Sequence, residues 1–335
     1  MRKFNIAWLT TNRSCNNHCE WCYAKKTLNS TSIMEIGKAK LAVDELERRN
    51  VKRIVLIGGE PTIYPFFFDL VSYIRSKGIE VGVPTNGRRF KELEFAKEAK
   101  KVDITNVDIS IKAVDEQNYY KYTKAHGLNE MIEGYNNLKK IGVNVTTSFV
   151  ITSNNQKEFD SLVEFLKKNQ ISDICFQFVK PVLSLETTEE IMRIDEMGKF
   201  TKYIYESMKN TKINYGIEIS FPICLIEPQI FEKLVLEHRI SNCCHVPKET
   251  GINFDENFRV IPCNHFAEFP FSNKPITWKS QDSLDYLLES KIVREFREKS
   301  RSYPTIKCQS CEKWNFCGGG CFTRWLTINP NDYIK

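Results

Sequence analysis

The sequence lacks any apolar run long enough to cross a membrane. Its longest apolar stretches, such as 53–58, have the length of one β-strand, whereas a transmembrane helix needs about 18 or more apolar residues. The amino-terminal segment is basic and then briefly apolar, and it lacks the small-residue cleavage site of a signal peptide. These absences argue against a membrane-spanning or exported chain, so we expect a cytoplasmic protein with no membrane partner.

A large excess of charge of one sign is also missing. The 335 residues include 48 lysines and arginines and 42 aspartates and glutamates, which gives a formal net charge of +6. The basic pairs are scattered along the chain, a pattern typical of solvated helix faces and loops. We therefore expect no nucleic-acid partner. With 41% hydrophobic residues and no repeat or low-complexity tract, the composition also excludes wholesale disorder.

Cysteine, by contrast, is abundant, with 12 residues. In a secreted protein these residues would indicate disulfides, but in the reducing cytoplasm they indicate metal binding. Cys175 stands alone in an apolar strand, where we expect a small core residue. Three cysteines lie close together near the start, at Cys15, Cys19 and Cys22. The other eight lie in the last third: Cys224, Cys243, Cys244, Cys263, Cys308, Cys311, Cys317 and Cys321.

The first half of the sequence alternates strand-like and helix-like patterns. The predicted strands are 5–11, 53–59, 80–86, 106–112, 144–152 and 173–180. The predicted helices are 32–49, opened by a capping box of Ser32 and Glu35, and then 64–77, 90–101, 127–141 and 155–168. Beyond about residue 215, short strands, prolines and cysteines replace this alternation.

Six β-α units in about 180 residues approach the roughly 30 residues per unit of a β/α barrel. The sequence therefore predicts an α/β fold with a partial (β/α)6 TIM-type barrel over residues 1–214. A small cysteine-rich domain is expected over residues 215–335. A doubly wound open sheet has the same periodicity and is the alternative.

The segment Cys15-Asn-Asn-His-Cys19-Glu-Trp-Cys22 directly follows the first predicted strand. Three thiolates on a tight loop can hold three irons of a [4Fe–4S] cube and leave the fourth iron without a protein ligand. The alternative is a zinc site that recruits His18 or a distant residue as its fourth ligand. The three cysteines alone leave both possibilities open.

With Trp21 at the aromatic position, this segment resembles the C-x3-C-x-aromatic-C signature of the radical S-adenosylmethionine (SAM) superfamily. Three further elements lie where that family places them. Gly58-Gly-Glu-Pro61 follows the second predicted strand, Thr85-Asn-Gly87 follows the third, and Ser110 lies inside the fourth. Active sites of β/α barrels gather at the carboxyl ends of their strands, which fits this order.

The resemblance implies a [4Fe–4S] cluster on Cys15, Cys19 and Cys22 that binds SAM and cleaves it to a 5′-deoxyadenosyl radical, which abstracts hydrogen from substrate. A flavodoxin or ferredoxin-type protein would supply the electron. Lys124 is our candidate for a cationic contact, with a solvated surface lysine as the alternative. The other cofactor-binding residues that the resemblance implies are Gly58 and Gly59 at the methionine moiety, Glu60 at its ammonium, Ser110 at the ribose or carboxylate, Trp21 near the adenine, and Thr85 and Asn86.

The last cysteines, from Cys308 to Cys321, form a C-x2-C-x5-C-x3-C pattern. As a bare pattern it could be a zinc knuckle. Together with the first cluster it resembles the SPASM extension of radical SAM enzymes, which carries auxiliary [4Fe–4S] clusters. Cys244 and the segment 258–263 match the upstream part of that extension, although Phe258 stands where glycine is usual.

In SPASM relatives, one auxiliary cluster takes the upstream pair and the last cysteine of the quartet. Here these are Cys244 (or Cys243), Cys263 and Cys321. The other takes the first three of the quartet, Cys308, Cys311 and Cys317, with a cysteine further along, and none follows Cys321. Two four-cysteine sites would need Cys224 and both Cys243 and Cys244. We expect one or two auxiliary clusters.

SPASM enzymes mostly modify peptides. Sulfatase maturases of this family usually carry an aspartate base where this chain has Asn264, and an amide cannot accept a proton at neutral pH. This difference argues against maturase chemistry. His265 is our candidate base, with a structural histidine as the alternative.

Our first hypothesis is therefore an enzyme that forms a thioether or carbon–carbon crosslink, or epimerises a residue, in a ribosomally made peptide. Because 14 residues precede Cys15, we expect a separate leader-recognition protein or substrate binding by the barrel mouth alone. The second hypothesis is a dehydrogenase or mutase of a small molecule such as an aminosugar. The third is an iron–sulfur electron carrier.

Overall fold

The structure, a computed structural model, describes residues 2–28, 31–182, 191–242, 244–276 and 283–334. The strands are β1 (Ile6–Thr10), β2 (Arg53–Ile57), β3 (Glu80–Thr85), β4 (Asn106–Ile111), β5 (Val145–Ile151), β6 (Asp173–Phe178), β7 (Asn214–Glu218), β8 (Ile240–Ser241), β9 (Gly251–Phe254) and β10 (Val260–Ile261). The α-helices are α1 (Ile36–Arg48), α2 (Phe67–Ser76), α3 (Leu93–Lys101), α4 (Glu116–Thr123), α5 (Leu128–Lys140), α6 (Phe159–Lys168), α7 (Ile194–Met208), α8 (Pro228–Leu236), α9 (Ser283–Leu288), α10 (Lys291–Ser302), α11 (Ile306–Gln309), α12 (Trp314–Cys317) and α13 (Phe322–Trp325).

All six strands predicted in the first half are present, within two residues of the expected bounds. Strand β1 pairs in parallel with β2, β2 with β3, β3 with β4, and β5 with β6, as is usual for strands joined by helices. Strand β2 buries four consecutive residues, Ile54–Ile57, which is typical of a parallel strand covered on both faces. The predicted α/β class is therefore confirmed.

Two compact units make up the described structure. The first contains residues 1–110, 115–146 and 248–296, and its strands lie in the order β10-β9-β1-β2-β3-β4. The second contains residues 111–114, 147–247 and 297–335, and its strands lie in the order β5-β6-β7-β8. The sequence-based domains, 1–214 and 215–335, stay a prediction.

The register of the first unit aligns the strand ends that carry the sequence motifs. Thr10 pairs with Ile57, so β1 and β2 end together. The first cysteine loop, residues 11–24, begins directly after β1. It therefore starts beside the Gly-Gly-Glu element that follows β2.

Two local expectations were wrong, and two elements were not predicted. The N-cap of α1 is Glu35, whose side chain makes no capping hydrogen bond, and Ile33 instead forms a β-bridge with Asn12. The predicted capping box is therefore absent from this helix start. Strand β7 and helix α4 were not predicted, because β7 contains a glycine and α4 has a weak apolar pattern. Cys175 is half-buried in β6, beside the fully buried Ile174, rather than in the core.

No helix in the described ranges combines the length and the hydropathy that a membrane span requires.

Candidate active site and cysteine centres

Two glycines allow the first cysteine loop to lie against the end of β2. A Cβ atom on Gly58 would lie 2.3 Å from Asn12 Oδ1, and one on Gly59 would lie 2.2 Å from the Ser14 carbonyl oxygen. The backbone N–H of Gly59 donates to the Asn12 carbonyl at 2.9 Å, and that of Glu60 donates to the Ser14 carbonyl at 2.8 Å. Only glycine lets the two backbones approach this closely. The position of the cysteine loop therefore requires these glycines. Their contact with the methionine moiety of SAM stays a prediction.

The three cysteines of this loop are half-buried and influence one another electrostatically. Burial and, second to it, the charge of Glu60 raise the pKa of Cys15 to about 12. The thiols of Cys19 and Cys22 act in the same direction, whereas a hydrogen bond of 3.4 Å from the Asn17 backbone N–H to Cys15 Sγ opposes them. Desolvated thiolates beside other negative groups need a positive charge to offset them. This donor set fits the irons of a cluster.

Glu60 is a buried carboxylate held by donors from two strand ends. It is 2% exposed. Its Oε1 accepts hydrogen bonds from the Thr62 backbone at 3.1 Å, the Thr62 hydroxyl at 2.6 Å and the Thr85 hydroxyl at 2.6 Å. Its Oε2 accepts from the Asn86 backbone N–H at 2.8 Å. The structure thus brings together three of the predicted site residues, and Oε2 keeps the capacity to accept one more hydrogen bond.

Arg88 fixes the cysteine loop from the other side, and the sequence analysis did not identify it. Its Nη1 donates to the Asn16 carbonyl at 2.6 Å and to Asn17 Oδ1 at 2.8 Å, while its Nε donates to Glu130 at 2.7 Å. Asn86 Nδ2 also donates to Asn16 Oδ1, at 2.6 Å. The only sequence signal for this residue was its position directly after Thr-Asn-Gly.

The other predicted cofactor contacts lie on three different segments of the first unit. Trp21 packs on Tyr122, with ring centroids 5.7 Å apart. Lys124 Nζ lies 3.3 Å from Glu20 Oε1, and its side chain is 55% exposed. This exposure favours the surface-lysine alternative. Ser110 is half-buried inside β4. The predicted contacts of Trp21, Lys124 and Ser110 with SAM stay predictions.

His265 lies beside the first cysteine loop, within the first unit. Its ring centroid is 5.7 Å from that of Tyr23, whose hydroxyl donates to the Gly58 carbonyl at 3.4 Å. Burial raises the pKa of Tyr23, so this hydroxyl stays protonated. A buried ion pair joins the same regions, since Arg13 Nε lies 2.6 Å from Glu256 Oε2. The sequence analysis missed Tyr23 and this ion pair, because only the fold brings them together.

The departure at Phe258 has a structural explanation. Its backbone adopts a left-handed conformation, with φ of 69°, which is the conformation that glycine adopts most easily. The phenylalanine ring is 1% exposed and stacks on Phe254 with centroids 5.6 Å apart. The backbone geometry expected of a glycine is therefore kept while the side chain fills the core.

In the second unit, Cys244 and Cys321 lie near Lys180. Burial and the charge of Cys321 raise the pKa of Cys244 to about 12, Glu218 acts in the same direction, and Lys180 opposes the rise. Lys180 Nζ also lies 2.6 Å from Glu218 Oε1. The pKa of Lys180 is raised because its attraction to Glu218 and to both thiols outweighs the effect of burial.

A second cation near Cys321 is Arg324, which is 2% exposed. Its Nη2 donates to the Val179 carbonyl at 2.8 Å, and its Nε donates to the Ser220 carbonyl at 3.4 Å. Burial lowers the pKa of Arg324 to about 10, and the thiol of Cys321 acts in the opposite direction. A cation buried among carbonyl groups is stabilised by any negative charge placed on Cys321.

The remaining predicted ligands divide between the two units. Cys308, Cys311 and Cys317 lie in the second unit, Cys263 lies in the first, and Cys243 lies outside the described residues. Their predicted grouping into clusters stays a prediction. Across the described ranges, no group of three or more His, Cys, Asp or Glu side chains is arranged to hold a single metal ion. A [4Fe–4S] cube takes one thiolate at each iron, so its ligands need not converge on one point.

A protein-family model matches most of the first half of the chain. Residues 9–166 match the family model described as the radical SAM superfamily. The matched range includes the first cysteine loop, the Gly-Gly-Glu element and β4.

Two solved structures share the fold. The chain superposes on Streptococcus suis SuiB bound to S-adenosylmethionine with a TM-score of 0.75 and 17% identity, covering 98% of this chain and 75% of SuiB. It superposes on anSMEcpe with bound AdoMet with a TM-score of 0.71 and 19% identity, covering 94% and 89%. At these identities the likeness establishes the fold alone.

Relatives found by sequence are matched over different shares of their length. The chain is 28% identical to the Fe-coproporphyrin III synthase of Methanosarcina barkeri over 212 residues, which cover 60% of this chain and 52% of that protein. It is 21% identical to the GTP 3′,8-cyclase of Helicobacter pylori over 318 residues, which cover 89% and 93%. The chain thus spans about half the length of the first of these relatives.

Proposed function

We propose that this chain, whose residues 9–166 are a radical SAM domain, uses S-adenosylmethionine and an iron–sulfur cluster to modify a ribosomally made peptide. The observation that carries the proposal is the first cysteine loop, where three half-buried thiols lie against a Gly-Gly-Glu strand end. A [4Fe–4S] cluster with SAM, when bound, supplies a 5′-deoxyadenosyl radical for hydrogen abstraction.

The residues around the loop bind and orient. Cys15, Cys19 and Cys22 would hold the cluster. Arg88 holds the loop backbone in place through its contacts at 2.6 and 2.8 Å. Glu60 is fixed by four hydrogen bonds, and its Oε2 would accept a further hydrogen bond from an ammonium group.

His265 is the residue that would move a proton. Its imidazole lies against Tyr23, next to the loop, and an imidazole nitrogen can accept a proton near neutral pH. Asn264, directly before it, cannot act as a base. Proton acceptance at His265, together with transfer of one electron to an auxiliary cluster, would complete a two-electron oxidation of the substrate radical, as crosslink formation requires.

Auxiliary [4Fe–4S] clusters would occupy the cysteine-rich segments as electron acceptors or donors. The basic surroundings of Cys321, with Lys180 and Arg324, would stabilise the negative charge of a thiolate-ligated cluster. A flavodoxin or ferredoxin-type protein would deliver the electron to the first cluster.

A peptide substrate is favoured by the solved structures that share the fold. One SuiB structure is bound to the precursor peptide SuiA, and one anSMEcpe structure is bound to AdoMet and the Kp18Cys peptide. The modification would be a thioether or carbon–carbon crosslink, or an epimerisation.

The second candidate is a reaction on a small molecule. The curated relatives favour it, because they are named as a coproporphyrin synthase and as GTP cyclases. Such an enzyme would be a dehydrogenase or mutase with the same cofactors.

The first test is formation of 5′-deoxyadenosine. Anaerobically reconstituted protein, given SAM and dithionite, should release it, and a Cys19→Ala variant should not. The matched control is Cys175→Ala, which removes a thiol outside the cysteine segments and should leave formation unchanged. Absence of 5′-deoxyadenosine from fully iron-loaded wild-type protein would contradict the radical SAM function.

The second test distinguishes the substrates. Short peptides encoded beside the gene are co-expressed with the enzyme and weighed by mass spectrometry. Loss of a pair of hydrogens indicates a crosslink or oxidation, and deuterium uptake without other mass change indicates epimerisation. Unchanged peptides, together with turnover of a neighbouring pathway's small molecule, would favour the second candidate.

A further inference from the structure

Cys308, Cys311 and Cys317 form one side of a compact turn in the second unit. The backbone N–H of Cys311 donates to the Cys308 carbonyl at 3.1 Å. The Thr305 hydroxyl donates to Cys308 Sγ at 3.5 Å. Cys317 is 8% exposed. Three thiols held this way leave one position of a four-thiolate site to be supplied by another segment.

The segment that contains Cys224 packs against this turn. The backbone N–H of Cys321 donates to the Ser220 carbonyl at 2.9 Å. A Cβ atom on Gly320 would lie 2.7 Å from Phe221 Cα, so the two backbones are in direct contact. The short 3₁₀ helix Ile223–Leu225 follows at once, and Cys224 is its central residue.

The backbone of the Cys224 segment also contacts the sulfur atom of Cys317. Burial raises the pKa of Cys317, and a hydrogen bond from the backbone N–H of Ile223 to this thiol opposes the rise. Partial burial raises the pKa of Cys224, and the charges of Cys317, Cys308 and Cys311 raise it further. Cys224 is therefore an electrostatic neighbour of all three thiols of the turn.

We propose that Cys224 is the fourth thiolate of an auxiliary [4Fe–4S] site whose other ligands are Cys308, Cys311 and Cys317. The fourth ligand thus comes from the 3₁₀ helix after β7, upstream of the quartet. With four thiolates this site is closed, unlike the first cysteine loop, and it suits electron transfer rather than substrate binding. The inference rests on the iron–sulfur chemistry of the proposed function.

The test compares the iron and sulfide content of anaerobically reconstituted full-length protein. We expect Cys224→Ala to lose about four irons per chain relative to wild type, or about one where a three-iron cluster is retained. Mössbauer spectra should lose the matching component. Cys175→Ala should keep the wild-type content. An iron content and Mössbauer spectrum identical to wild type in Cys224→Ala would overturn the assignment.

A second measurement covers the case in which Cys224→Ala fails to fold. Wild-type protein is alkylated with iodoacetamide before and after removal of iron with a chelator, and the labelled cysteines are identified by mass spectrometry. Cys224 should be protected only in the iron-loaded protein. Equal labelling in both forms would overturn the assignment. Formation of 5′-deoxyadenosine by wild-type protein is measured in parallel, so failure of the proposed function is seen separately.

Discussion

The two cysteine-bearing regions differ in how their arginines are neutralised. Around the first cysteine loop, arginines pair with carboxylates, as the buried Arg13 does with Glu256 and the half-buried Arg88 does with Glu130. In the second unit, within the described residues, the buried Arg324 donates its hydrogen bonds to carbonyl and hydroxyl oxygens, and the thiol of Cys321 is the titratable group that acts on it. The same type of buried cation thus stabilises a protein loop in one region and a thiolate in the other.

This difference matches the charges of the groups that we expect the two regions to bind, SAM in the first and a thiolate-ligated cluster in the second. In the first region the arginines are already neutralised, so the thiolates and Glu60 attract whatever positive charge binds there. SAM carries a sulfonium and an ammonium group, which are positive charges of this kind. In the second unit the protein itself places the cation Arg324 near Cys321, which suits a thiolate-ligated, anionic cluster at that cysteine.

The largest expected effect comes from a side chain that disrupts the close approach of the first cysteine loop to the end of β2. Gly59→Ala places a Cβ 2.2 Å from the Ser14 carbonyl, so the loop must move. A displacement of about 1 Å at a reacting site can cost about 100-fold in rate. We expect 5′-deoxyadenosine formation to fall by at least about 100-fold. The control is Gly216→Ala in β7, where a Cβ meets nothing within 4 Å. An active Gly59→Ala enzyme would contradict the requirement for this close approach.

The next largest expected effect is a loss of stability when Arg13, the buried arginine near the first cysteine loop, is replaced. Arg13→Met leaves the buried carboxylate of Glu256 without its partner, which should lower the free energy of unfolding by about 3–5 kcal/mol. Chemical denaturation of the iron-free protein measures this change. Lys97→Met, which breaks an exposed pair with Glu94, should change it by less than about 0.5 kcal/mol. The double variant Arg13→Met/Glu256→Leu should recover much of the loss. An equally unstable double variant would argue against the ion pair as the cause.

Arg324→Met should lower the free energy of unfolding by less than Arg13→Met does, because within the described residues it leaves no carboxylate without its partner. We expect a loss of about 2 kcal/mol or less in iron-free protein, from the backbone carbonyls that lose a donor. The loss should be larger in iron-loaded protein, because the cation there offsets the charge of the ligated Cys321. Equal losses with and without iron would remove the distinction between the two regions.

Much of the fold and of the first site could be predicted from sequence. Strands such as β2 are continuous apolar runs, so their positions follow from composition alone. The cysteine and glycine motifs fix the backbone locally, which is why their spacing is informative. Arg88, Tyr23 and Arg13 were missed, because their partners are distant in sequence and their contacts exist only in the fold. The capping box failed because Ile33, between its two residues, pairs with Asn12 instead.

The smallest expected effect is a pH dependence in the first unit. Arg49 is fully buried between Glu45 and Asp285, and its hydrogen bonds to Asp285 lower the pKa of that carboxyl. A lowered folded-state pKa means that the stabilisation is present above the ordinary pKa of about 3.9 and is lost as the pH falls through the folded value. Asp285→Asn should therefore cost about 1 kcal/mol near neutral pH. The difference from wild type should shrink below about pH 4.

The matched control for this titration is Asp195, whose pKa is also lowered by an arginine, Arg193, but whose side chain is 39% exposed. Solvent screens such a pair, so Asp195→Asn should change the free energy of unfolding by only a few tenths of a kcal/mol at any pH. Denaturation of both variants between about pH 3 and pH 7 compares the two carboxyls directly. If the two variants lose equal stability, the burial of Arg49 does not explain how much its carboxylate partners contribute to the free energy of unfolding. The difference between the arginines that pair with carboxylates and Arg324 would then depend on geometry rather than on desolvation.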